Sequence, residues 1–137
     1  MSFFEVFDIA GSAMSAQSVR LNVTASNIAN ADSASSDPNE VYRSRQPVFA
    51  TFRQHMDNLQ SGLGVRVLGI VESQAPARSQ YQPDHPQADE SGYVYFSNVN
   101  ALEEMVNMMT ASRSYQNNVE VINTSKDLLL RTLSLGQ

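Results

Sequence analysis

Heptad-like spacing at both ends of the chain, and its absence between them, is what most constrains the fold. Residues 4–28 and 101–133 repeat apolar or small side chains at alternating steps of three and four. Such steps keep side chains on one face of an α-helix. The stretch between is broken by prolines, glycines and polar clusters. The pattern predicts a mainly α fold. Long N- and C-terminal helices pack as a coiled-coil-like pair, with a small β-rich central insert. The boundaries read as 2–30 for the first helix, 31–98 for the loop and β-rich segment, and 99–135 for the last helix.

The first helix has a start signal. Ser2 followed by Glu5 is a capping-box spacing, in which hydroxyl and carboxylate satisfy free backbone N–H groups. Glu5 and Asp8 also suit the positive end of the helix dipole. Two rows then run in heptad register. Phe7, Met14, Leu21 and Ile28 are all large; Phe4, Gly11, Ser18 and Ala25 begin large and become small. The small row invites a second backbone to approach, either residues 101–133 or a neighbouring subunit. Arg20 lies one register off this stripe, so its loss is expected to be mild.

Residues 30–47 read as loop, because Asn30 through Asn39 is rich in side chains that bond their own backbone. Val48, Phe49 and Phe52 point to a strand, and the β-branched run 64–71 to another. Pro76, Pro83 and Pro86 deny a regular helix over 74–91. Asp89-Glu90-Ser91-Gly92 reads as a turn into a strand at Tyr93–Phe96.

The last helix opens at Asn100, an N-cap, with Glu103 three residues on. Ala101, Met108, Tyr115, Ile122 and Leu129 alternate with Met105, Ser112, Val119, Lys126 and Leu133. Over 101–133 it would be about 50 Å long at ~1.5 Å per residue, more than a domain of 137 residues needs. Gly136 is a natural stop. Asn27, Asn30, Asn117, Asn118 and Asn123 are polar residues that either fix register in a seam or face solvent.

Little catalytic chemistry is legible. There is no cysteine, which removes disulfides, thiolate catalysis and cysteine metal sites. The net charge of −5 and the scattered bases, with Arg43, Arg45 and Arg53 as the nearest approach to a cluster, argue against nucleic acid. Of the two histidines, His55 stands alone. His85 sits with Asp84, Asp89 and Glu90 between prolines, a spacing that suits a solvated turn better than a metal site. Glycines 62, 64 and 69 make no phosphate loop, and Met105, Met108 and Met109 read as flexible packing. No cofactor or metal is expected, and no enzyme. The N-terminus lacks secretory-signal architecture, and no apolar run approaches the roughly 20 residues that span a bilayer.

Two stretches carry a family resemblance. Ala25-Ser26-Asn27-Ile28-Ala29-Asn30-Ala31-Asp32 resembles the N-terminal signature of flagellar rod and hook proteins, an S-N-[IL]-A-N core closing the first helix. Ser112-Arg113-Ser114-Tyr115-Gln116, then Asn118 through Thr124 and on to Gln137, resembles their C-terminal helix. Phe7–Ser12, Val67–Ser73 and Glu103–Met108 extend the likeness across nearly the whole chain. The chain lacks the large central domains of the longer members. Its loop after Asn30 lacks their T-x-G-Y continuation, with Tyr42-Arg43 the candidate for that part.

The resemblance implies a structural subunit of the proximal rod. Such a subunit leaves the cytoplasm unfolded through the flagellar type III export apparatus, uncleaved, and assembles in the periplasm. Neighbours implied are other copies of itself, the rod proteins FlgB, FlgF and FlgG, the junction protein FliE and the ring protein FliF. It inserts in no membrane and transmits torque as part of a tubular drive shaft. The residues expected to pack in that assembly are Phe7, Gly11, Met14, Ser18, Leu21, Ala25, Asn27, Ile28, Asn30, Met105, Met108, Tyr115, Val119, Ile122, Leu129 and Leu133. The alternative from another class is a cytoplasmic type III secretion chaperone or adaptor; a third is a small metal-dependent enzyme using His85 and Asp89.

Overall fold

The computed structural model describes residues 3–55 and 61–135, so the Ser2 cap and the Gly136 stop lie outside it, as do the side chains of Arg53 and His55 and the burial of Gly62 within their strands. The order is α1 (Phe3–Ala29), β1 (Ala34–Ser35), β2 (Arg45–His55), β3 (Ser61–Glu72), β4 (Arg78–Tyr81), β5 (Tyr93–Phe96) and α2 (Ala101–Leu135). Two helices, of 27 and 35 residues, thus flank a small antiparallel insert.

The start of α2 and the end of α1 are fixed by local hydrogen bonds. Asn100 caps α2: its Oδ1 accepts from the N–H groups of Leu102 at 3.1 Å and Glu103 at 3.4 Å, groups that the helix itself leaves unpaired. Glu103 and Glu104 occupy the first turn, at the positive end of the dipole. At the end of α1, Ser26 O accepts from both the Asn30 N–H at 3.2 Å and Asn30 Nδ2 at 2.8 Å.

The insert is two small sheets. β2 and β3 form a long antiparallel hairpin in which Val48 opposes Gly69 and Phe49 opposes Val67, leaving Leu68 as the extra residue of a bulge. The other sheet has order β1-β5-β4. Its outer strand β4 lies in the stretch expected to be irregular. All four of its residues are exposed, so no alternation of burial announces it. The loop expected over 30–47 likewise holds the two-residue β1 and the first residues of β2.

α1 is the central element: α2 packs along it on one side and the hairpin on another. α1 is the main packing partner of α2 among the described elements. The two helices run antiparallel, since the end of α1 and the start of α2 are tied together. Arg78 Nε donates to Ser97 O at 2.8 Å and an Nη of the same guanidinium to Ala31 O at 3.3 Å.

Candidate assembly faces

The hairpin is docked on α1 through polar contacts at both its ends. Asn27 is 1% exposed. Its Nδ2 donates to Arg45 O at 2.8 Å, and its Oδ1 accepts from Arg45 N at 3.0 Å and from Tyr42 Oη at 2.9 Å. Both backbone groups of the first β2 residue are thereby paired with one helix side chain. Arg45 then stacks over the Tyr42 ring at 5.3 Å and bridges to Glu72 at 2.8 Å. That pair is half in water, so it contributes little. Further along, Ser12 Oγ accepts from Val65 N at 3.1 Å. Gly64 allows this approach: a Cβ there would lie 2.8 Å from the Phe52 ring and 3.1 Å from Ser12 Oγ. Between the two ends, the Arg20 guanidinium lies over the Phe49 ring at 5.3 Å. Arg20 is therefore a packing residue, not the bystander expected from its register.

Asn98 gathers the chain at the start of α2. Its Oδ1 accepts from Ser44 N at 2.8 Å and its Nδ2 donates to Ala75 O at 2.9 Å. Where α1, β2 and α2 meet, a cavity of ≈ 30 Å³ is lined by Arg20, Thr24, Arg45, Gln46, Pro47, Glu104 and Asn107. Glu104, only 5% exposed, thus shares this polar junction with two arginines.

The helix seam is rotated from the expected rows. On α2 the row Met108, Tyr115, Ile122 and Leu129 is half-buried, as expected for an inner row. Its companion is Glu104, Ala111, Asn118 and Ser125, which are buried or half-buried. The expected companion lies one residue later; there Met105 and Leu133 are exposed, and Val119 is half-buried on the flank. On α1, Phe7, Met14, Leu21 and Ile28 are half-buried. The buried positions beside them are Ala10, Ala16, Val23, Thr24 and Asn27. The small row is on the outside. Gly11 and Ala25 are exposed and Ser18 is half-buried, and a Cβ on Gly11 would meet nothing within 4 Å. Residues 101–133 of the same chain do not cover Gly11, which corrects one of the two expectations for that row. The reason is composition: small residues line both sides of α1, and those turned into this chain include Ala10, Ser12 and Ala16.

Two outward faces remain. On α1 the positions Phe4, Asp8, Gly11, Ser15, Asn22, Ala25 and Ala29 are exposed; after Phe4 in the first turn, all are small or polar. On α2 the exposed positions Leu102, Met105, Val106 and Met109 form an apolar patch at helical spacing, opposite the seam. Runs of exposed apolar side chains of this kind mark interaction surfaces.

The segment around His85 is a self-bonded loop. His85 Nδ1 accepts from Gln87 N at 3.1 Å, and its ring lies edge-on to Phe96. Asp89 Oδ1 accepts from the N–H groups of Ser91 and Tyr93, both at 2.8 Å, and Tyr95 Oη donates to Oδ2 at 3.2 Å. The Tyr93 N–H, followed by the other donors, holds the Asp89 carboxyl below the usual carboxylate range, against the opposing effect of burial. Burial and then the Asp89 carboxylate push the Tyr95 hydroxyl up. Gly92, at φ 80°, turns the chain into β5 in a conformation that favours glycine.

Comparison with known proteins gives two family matches and full-length relatives. Residues 7–34 match the family described as flagella basal body rod protein, and residues 90–135 match the C-terminal family of the flagellar basal body rod FlgEFG proteins. The chain is 54% identical to the flagellar basal-body rod protein FlgC of Yersinia enterocolitica over the full length of both. It is 51% identical to that of Salmonella typhimurium and 42% to that of a Buchnera aphidicola, again over both full lengths. These relatives are rod proteins, which speaks against the secretion-chaperone alternative. The two matches fall on α1 and on β5–α2, the parts that carry the outward faces. The chain belongs to the FlgC family of flagellar basal-body rod proteins.

Proposed function

We propose that this rod subunit belongs to the proximal rod and is a non-catalytic part of a tubular drive shaft. Segments 2–30 and 99–135 act in it as one coiled-coil-like helical unit, and 31–98 as its insert. The observation that carries this reading is the helix pair, which leaves a small-residue face on α1 and an apolar face on α2 uncovered. A chain that exposes such faces alone buries them between subunits when it assembles. The shaft then transmits torque through side-by-side helices from the membrane ring toward the hook.

The subunit reaches the periplasm through the flagellar type III export apparatus with its N-terminus uncleaved. Its neighbours are other copies of itself, FlgB, FlgF and FlgG, with FliE and FliF at the membrane end. The packing residues are those named from the sequence. Gly11, Ser18, Ala25, Met105 and Leu133 make contacts between subunits, and Asn27 and Asn30 hold the insert and the helix end. Deletion of the gene should leave cells without rods beyond the membrane ring, and mass spectrometry of purified basal bodies should find the chain intact from its first residues. Normal basal bodies in the deletion strain, or a chain found only in the cytoplasm, would reject the rod reading.

A further inference from the structure

The apolar face of α2 has a counterpart on the molecule itself. Leu102, Val106 and Met109 are exposed by 72%, 51% and 56%, and Arg113 continues the same line at steps of four, three and four. On α1, half-buried Ser18 and exposed Ser15, Gly11 and Asp8 descend at steps of three, four and three, with exposed Phe4 one turn beyond. Both lines rise about 1.5 Å per residue. Set antiparallel, they match: large side chains meet small ones at three levels, and at the fourth Arg113 meets Asp8. Neither of those charges has an ion-pair partner among the described residues.

The orientation follows from the fold. Copies related by translation, or by rotation about an axis that runs parallel to the helices, keep α1 parallel to α1. Because α1 and α2 are antiparallel within a chain, the α2 of one copy runs antiparallel to the α1 of the next. The two surfaces differ, so the contact is heterologous, and such contacts build rings or open helical stacks instead of two-fold dimers. We infer that the α2 face Leu102–Val106–Met109–Arg113 docks on the α1 face Ser18–Ser15–Gly11–Asp8 of a second copy of this chain, with the Arg113–Asp8 pair setting the register. This rests on the rod reading and adds its partner and register. The charge pair is what selects the occupant: an apolar patch alone would accept many helices, whereas this one ends in a base where this chain's own small face ends in an acid.

The chain has no cysteine, so disulfide trapping is clean. Gly11→Cys with Met109→Cys, expressed in place of the native chain and mildly oxidised in isolated basal bodies, should give bands at integer multiples of the chain mass; either substitution alone should not give that ladder. Asp8→Arg and Arg113→Asp should each lower incorporation at least about tenfold, because each sets like charges together, and the double exchange should restore most of it. Normal incorporation of the double-cysteine chain with only monomer after oxidation overturns the pairing and leaves the rod reading standing. So does a cross-linked band that contains a different protein, or failure of the double exchange to recover. Absence of the unmodified chain from basal bodies removes the rod reading and the pairing with it.

Discussion

Asn27→Ala should be the most damaging single truncation on α1. The side chain makes three hydrogen bonds across 15 and 18 residues of sequence, two of them to the backbone of Arg45. Tyr42 Oη keeps a second partner, Ser26 Oγ at 3.2 Å, so two orphans result: the Arg45 N–H and C=O. Each buried orphan costs about 1–3 kcal/mol. Arg45 is half-exposed on its side-chain side, so the lower half of that range applies, for a total of about 3 kcal/mol. At about 3 °C per kcal/mol for a chain of this length, Tm should fall by roughly 10 °C. Urea unfolding of the purified chain, followed by circular dichroism, measures the change. Asn30→Ala is the matched control, because Asn30 Nδ2 bonds only within its own helix; it should cost less than about 1 kcal/mol. Equal losses for the two variants, or an Asn27→Ala midpoint within error of wild type, would refute the claim that Asn27 holds the hairpin to α1.

Gly64→Ala should destabilise the chain by about 1–2 kcal/mol, because the new Cβ overlaps the Phe52 ring and crowds Ser12; an unchanged urea midpoint would count against the tight hairpin–helix approach. The loop around Asp89 should loosen in acid. Its carboxyl titrates below its unfolded value, so its stabilising contribution is complete above about pH 4 and is lost as pH falls through the folded value; faster exchange of the Tyr93 amide below pH 4, abolished in Asp89→Asn, would show it. Ser18→Leu should block incorporation into basal bodies with synthesis unchanged, since bulk added to a close contact recurs in every copy, at about 1–3 kcal/mol each; normal swimming in soft agar would contradict this.

The helices were legible because long heptad spacing has one physical solution. The hairpin was legible from its β-branched residues, Val65, Val67, Ile70 and Val71. The face of α1 that turns inward was not. Apolar scoring favours Phe7, Met14 and Leu21, whereas the most buried positions are Ala10, Ala16, Thr24 and Asn27. Thr24 and Asn27 lie inside because β2 and its approach supply partners, and nothing in a helical repeat announces a partner 18 residues later. Strand β4 was missed for a related reason. Arg78, Ser79, Gln80 and Tyr81 are all exposed, and only pairing with β5 makes them a strand. The arginine of that strand, which ties Ala31 to Ser97, carries no sequence signal of its own.

The antiparallel seam also sets when this chain can fold. α1 is synthesised first, yet its helix partner α2 begins only at residue 101. Closing so long a loop carries an entropic cost before any seam contact forms, and topologies built on distant contacts fold slowly. A nascent chain therefore passes most of its length with the helix seam unmade, and only the hairpin, complete at Glu72, can pack on α1 before α2 exists. A chain truncated after residue 100 should show little helix by far-ultraviolet circular dichroism, and addition of a peptide spanning 101–135 should raise it. Full α1 helicity in the truncated chain would mean that the hairpin alone is enough, and that α1 need not wait for α2.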